Sequence, residues 1–137
     1  MSVTVLGVDT NVLVRFLAAD DEEQELQAKR VISNPSNHPI YLSLLVLSET
    51  YTVLTKVRKF PRAAVDDSYR LLLRSPGFRV EDPDMAGRAI EDGASAGCGF
   101  VDALIALQNL AAGCRDTVTF DRDASRLTGM SRIGDQH

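Results

Sequence analysis

Apolar and polar positions along this chain switch repeatedly between a period of two and a period near 3.6, which predicts strands alternating with helices. Residues 3–8 alternate and then run apolar up to Asp9, the pattern of a buried strand. Val12, Leu13, Phe16 and Leu17 follow at helical spacing, so a helix starts just after Thr10-Asn11. Asp20-Asp21-Glu22-Glu23 reads as the acidic first turn of a second helix, which the helix dipole favours; it runs to about Ser33 and stops at Asn34-Pro35. Ile40 to Leu42 is a short strand, and a helix follows from about Leu44 to Val57. Pro61 opens another helix, with Val65, Tyr69, Leu72 and Leu73 as its apolar face, ending near Ser75-Pro76-Gly77. Phe78 to Val80 is strand-like, and 83–95 is an amphipathic helix opened by Asp82-Pro83. Gly97 to Gly99 break the pattern before the most apolar helix, Val101 to Ala112. Val118 to Phe120 is a strand, 122–128 a short helix, Arg132-Ile133 a last edge strand and 134–137 a frayed tail.

This alternation predicts an α/β fold with a mostly parallel sheet, whose working site lies beyond the carboxyl ends of the strands. A length of 137 residues fits one domain, 1–137, able to bury roughly two-thirds of its unfolded surface. No linker, repeat or low-complexity tract interrupts it. With no run of eighteen apolar residues and no basic-apolar leader, neither a membrane span nor a signal peptide is expected, and the predicted location is cytoplasmic. Cys98 and Cys114 lie in apolar or Gly-rich helical surroundings and read as two reduced, buried thiols. The net charge of −4 argues against a surface that coats nucleic acid generically. Its basic residues are nevertheless uneven: Lys56, Arg58, Lys59 and Arg62 cluster, either as a solvated helix face or as a local patch for phosphates.

Four acids change the picture. Asp9 ends the first strand, Glu49 sits in an apolar helical pattern, Asp102 opens the most apolar helix and Asp121 follows the last clear strand. Each has an ordinary reading: Asp9 and Asp121 as helix caps, Asp102 as a first-turn acid. Glu49 resists one, since three of its i±3 and i±4 neighbours, Leu45, Val46 and Val53, are apolar. One metal site explains all four together, because converging carboxylates repel one another unless a hard divalent cation holds them. Carboxylates around one or two such ions suit in-line phosphodiester hydrolysis. His38, in a loop, and His137, at the terminus, make no nucleophile–base set with any Ser or Cys, and no phosphate-binding glycine loop is present.

Val8-Asp-Thr-Asn-Val-Leu-Val-Arg-Phe-Leu17 resembles the opening of a PIN domain, most of all the VapC-type toxins of bacterial toxin–antitoxin pairs. Ser48-Glu49, Phe100-Val-Asp-Ala-Leu-Ile-Ala106 and Thr119-Phe-Asp-Arg-Asp123 follow in the family's order. The resemblance implies a three-layer α/β/α sandwich and a Mg²⁺- or Mn²⁺-dependent ribonuclease. Position by position it assigns Asp9, Glu49, Asp102 and Asp121 to the acidic quartet. On this resemblance Asp9, Asp102 and Asp121 are expected to hold the metal, Asp9 and Asp102 as direct ligands, while Glu49 is expected to position or deprotonate the attacking water. Thr10, Asn11 and Thr119 match supporting polar positions, and Asp123 an extra acid. Arg15, Lys56, Arg58, Lys59 and Arg62 are candidate contacts for RNA phosphates. Gly99 departs from the pattern, since many relatives carry an acid there, which favours one metal over two. A homodimer and a cognate antitoxin are also implied; Leu13, Phe16, Leu17, Leu44, Tyr51 and Leu54 are either core or the surface that serves them. The rival readings are a PIN nuclease of RNA processing without an antitoxin, a Mg²⁺-binding phosphoacceptor domain, and a non-catalytic binding module. The phosphoacceptor usually needs a late lysine, and none follows Lys59.

Overall fold

The computed structural model describes residues 5–18 and 23–134, and in it helices α1 and α3 begin where a polar side chain takes an otherwise unpaired backbone N–H. Val3-Thr4, Asp20 to Glu22 and the 135–137 tail with His137 lie outside the described residues. The chain divides into two compact units, Met1–Pro83 and Asp84–His137.

The first unit holds strands β1 (Leu6–Gly7), β2 (Ile40–Leu42) and β3 (Phe78–Val80). Between them run helices α1 (Thr10–Ala18), α2 (Glu23–Ser33), α3 (Leu44–Thr52) and α4 (Arg62–Arg74). The strands form a parallel sheet in the order β1-β2-β3, with Ile40 opposite both Leu6 and Phe78. Parallel neighbours need long crossovers, and the helical stretches supply them. The structure is therefore α/β with a parallel sheet flanked by helices, as the period switching predicts.

Two caps set the start of α3. The Ser43 hydroxyl accepts the Val46 N–H at 3.1 Å, and Glu81, just past β3, accepts the Leu44 N–H at 2.9 Å. The helix expected to run unbroken to Val57 instead widens at Val53–Val57 into a π turn, where the Arg58 N–H reaches the Val53 carbonyl at 2.9 Å. Pro61 stands at the N-cap of α4 rather than inside its first turn. Helices α3 and α4 are locked by a buried polar pair: Tyr51 donates to Asp66 at 2.8 Å and Tyr69 to the Leu47 carbonyl at 2.6 Å. The two tyrosine rings meet edge-on at 5.6 Å. Burial, then the neighbouring Tyr51 and the negative Asp66, push the Tyr69 phenol well above its usual range.

The second unit contains α6 (Phe100–Ala111), β4 (Thr117–Thr119), a three-residue 3₁₀ turn (Ala124–Arg126) and β5 (Met130–Arg132). Helix α5 (Pro83–Ala96) opens it. Strands β4 and β5 are parallel, with Val118 opposite Ser131. Phe100, Ala103, Ala89 and Ile90 are among the unit's buried residues. Gly93, inside α5, is required by close approach: a Cβ there would collide with the Gly99 carbonyl.

Several expectations change. Leu6 and Gly7 of strand β1 are exposed rather than buried, and among the described residues the strand lies at the edge of its sheet. The expected 122–128 helix shrinks to the Ala124–Arg126 turn, since only Ala124 and Leu127 in that stretch are buried. Cys98 is buried but Cys114 is exposed, and the two are not joined in a disulfide. Leu13, Leu44, Tyr51 and Leu54 are core, so they offer no dimer surface. Among the described residues no helix is long and apolar enough to cross a membrane.

Candidate active site

Asp9 occupies the loop between β1 and α1, at the carboxyl end of its strand, where parallel α/β sheets place their sites. Its Oδ1 accepts the Val12 N–H at 3.0 Å and its carbonyl the Leu13 N–H at 3.2 Å, so it does cap α1. The cap uses Oδ1 alone, and the side chain is exposed. A cavity of about 510 Å³ opens beside it, with Asn11, Arg15, Gln24 and Gln27 as its other polar lining and Leu6, Val12 and Val31 among its apolar walls. Thr10 begins α1 and is half-buried.

Glu49 lies on α3, in the same unit, but not on the face expected for it. The buried side of α3 is Leu44, Leu47, Thr50 and Tyr51. Glu49 points away with Leu45, which is 68% exposed. It is a solvent-facing carboxylate, although its near neighbours along the helix are apolar.

Asp102 is in the first turn of α6 and half-buried. The N-cap of that helix is Gly99 at φ 93°, where a side chain is strained. With its carbonyl also packed against Gly93, position 99 suits glycine on backbone grounds, whatever acid relatives carry there.

Asp121 follows β4, in the same unit as Asp102. Its Oδ1 accepts the Ala124 N–H at 2.9 Å, and its own N–H goes to the Thr119 hydroxyl at 3.0 Å. Thr119 thus holds the loop in which Asp121 sits. Asp123 is half-buried and pairs with Arg126 at 3.2 Å.

The basic candidates differ in exposure, Arg15 and Arg58 being half-buried. Arg58 directs both terminal nitrogens at Oε1 of Glu25, at 3.2 and 3.3 Å, and Arg15 approaches the same oxygen at 3.8 Å. Lys56 lies in the π turn, while Lys59, at φ 62°, and Arg62 follow it; all three are exposed. Glu25 is the residue that the sequence reading missed. It is 2% exposed, and its Oε2 has no hydrogen-bond partner among the described residues. A signal existed: Glu25, Ala28 and Ile32 share one helical stripe and are the buried residues of α2. An acid on a core stripe calls for a basic partner.

The four acids stand two in each unit. All donate oxygen only, the chemistry that a hard divalent cation selects. Among the described residues no group of three or more His, Cys, Asp or Glu is arranged to hold a metal ion. The donor set fits such a cation in kind, and the described arrangement contains no three-ligand cage.

Comparison with protein families finds that the PIN domain profile matches residues 7–130, which spans Asp9, Glu49, Asp102 and Asp121. No curated protein matches the chain.

Proposed function

The chain belongs to the PIN domain family, and on that premise we propose that it is a metal-dependent endoribonuclease, the toxin of a toxin–antitoxin pair. PIN domains are in general nucleases and typically bind divalent metals, and membership sets the phosphoacceptor reading aside. The observation that carries the reading is Asp9: an exposed carboxylate, one oxygen outside its cap, at the end of a parallel strand and on the rim of a cavity.

Asp9, Asp102 and Asp121 are assigned to Mg²⁺ or Mn²⁺, with Glu49 as the base for water. The metal, when bound, lowers the pKa of water and offsets phosphate charge. Hydrolysis joins a water oxygen to phosphorus and breaks the bond to one ribose oxygen. Glu49 takes the water proton, and the departing ribose oxygen takes a proton from solvent. Lys56, Lys59 and Arg62, all exposed, are the cations assigned to neighbouring RNA phosphates, with half-buried Arg58 beside them. The toxin role is supported by the Val8–Leu17 motif and predicts a homodimer and an inhibitory partner protein.

The test is cleavage of total cellular RNA by partner-free protein, with Mn²⁺ or with chelator, for wild type and Asp9→Asn. Discrete, metal-dependent fragments that vanish in the variant are expected. Equal cleavage by both proteins sinks the assignment. For the toxin role, co-expression of the reading frame immediately upstream should abolish cleavage; undiminished cleavage favours an RNA-processing enzyme without an antitoxin.

A further inference from the structure

Helix α2 has two working faces. One, Glu25, Ala28 and Ile32, is core. The other is Gln24, Gln27, Ala28 and Val31, at spacings of three, four and seven, and it lines the Asp9 cavity. Gln24 and Gln27 are exposed, so core packing does not explain them. Each primary amide offers two donors and an acceptor, the complement of a nucleobase edge. Val12, Val31 and Leu6 supply apolar walls for a base's flat faces. The volume, about 510 Å³, lies within the range of small-ligand sites. Arg15 lines the same cavity, and its guanidinium lies 3.8 Å from the buried Glu25 carboxylate.

We propose that the Asp9 cavity holds one unpaired nucleotide of the RNA beside the scissile phosphate, with Gln24 and Gln27 reading its base and Arg15 contacting its phosphate. This rests on the nuclease reading and extends it to specificity. Sequence-specific RNA recognition acts on unstacked bases whose edges are free. An amphipathic pocket against the proposed cleavage site would fix the cut relative to that base.

The experiment is cleavage of a single-stranded RNA pool of randomised sequence in Mn²⁺, with the base preference around each cut read from fragment ends. Wild type should prefer particular bases at one position next to the cut. Gln24→Leu or Gln27→Leu should weaken that discrimination roughly 5–30-fold, the effect of losing one or two hydrogen bonds. Both residues are exposed, so both variants should fold. Gln27→Glu, which trades donors for an acceptor, should move the preference towards bases presenting an amino group. The ratio of cut sites is internal to each digest, so a general loss of rate does not imitate the result. Preferences unchanged in all three variants overturn the inference and leave the nuclease standing, as does a wild type that cuts without preference. A folded wild type that cuts nothing counts against the nuclease reading itself and removes this inference with it.

Discussion

Asp9 and Asp121 perform the same local act with different results. Each follows a parallel strand and accepts the N–H three residues ahead, at 3.0 and 2.9 Å. After Asp9 comes a helix of nine residues; after Asp121 a turn of three. The cap therefore does not make the helix. Helix α1 continues because Leu13 and Val14 are buried and Arg15 reaches the Glu25 cluster. Past Asp121 only Ala124 and Leu127 reach a core, three residues apart, which supports a single turn. At these two sites tertiary burial decides helix length, and the cap marks where the helix or turn begins.

The sharpest way to break the comparison is to keep both caps and remove both charges. Asn caps as well as Asp, so Asp9→Asn and Asp121→Asn should melt within a few degrees of wild type. Each should cut RNA at least about a hundredfold more slowly, the scale of losing one electrostatic group from an active site. If Asp121→Asn cuts normally, the likeness ends at the cap and only Asp9 belongs to the site.

The support behind α1 comes next. Glu25→Ala leaves Arg58 and Arg15 without their buried carboxylate. Because both guanidiniums are about a quarter exposed, with side-chain exposures of 29% and 23%, the loss should be about 2–3 kcal/mol, below the range for fully buried pairs. Urea midpoints measure it, and an unchanged midpoint means that the cluster is ornamental to stability.

Metal should distinguish the caps from the charges. Mn²⁺ at about a hundred times its dissociation constant should stabilise wild type by about 2.7 kcal/mol, seen as a raised melting temperature. Asp9→Asn should lose most of that rise. An equal rise in both proteins places the metal elsewhere.

The smallest effects belong to the caps themselves. Asp9→Ala should cost about 1 kcal/mol, the usual loss for a helix cap, and Asp121→Ala less, because its turn contributes little burial. Equal losses in denaturant titration would show the two turns to be equally supported. Away from this pair, Tyr69 sets an alkaline limit. Its folded pKa is raised, so its contribution is intact below the unfolded value of about 10 and is lost as pH climbs towards the folded one. Stability should fall above about pH 10 in wild type, and that fall should be smaller in Tyr69→Phe.

Strands β2 and β3 and the starts of the helices near residues 10 and 44 were legible because short apolar runs are bounded there by Asp9, Ser43, Pro76 and Gly77. The exposure of Glu49 was not legible for a geometric reason. Counting its near neighbours found apolar residues, but the buried stripe of α3 passes through Leu44, Leu47 and Tyr51 and leaves both Leu45 and Glu49 outside. A helix that is apolar over most of its surface does not declare which face is core. Glu25 went unnoticed for the opposite reason, since one acid in a charged helix looks solvated until its partners are known.

The order of strands and helices, the acids at strand ends and the family were all written in local pattern, because capping, periodicity and motif spacing act over a few residues. Which acid is buried, which arginine is engaged and which amides face a cavity were decided by tertiary structure. Those outcomes depend on side chains brought together from distant positions, such as Glu25 with Arg58 at 3.2 Å, and no local period encodes such a meeting.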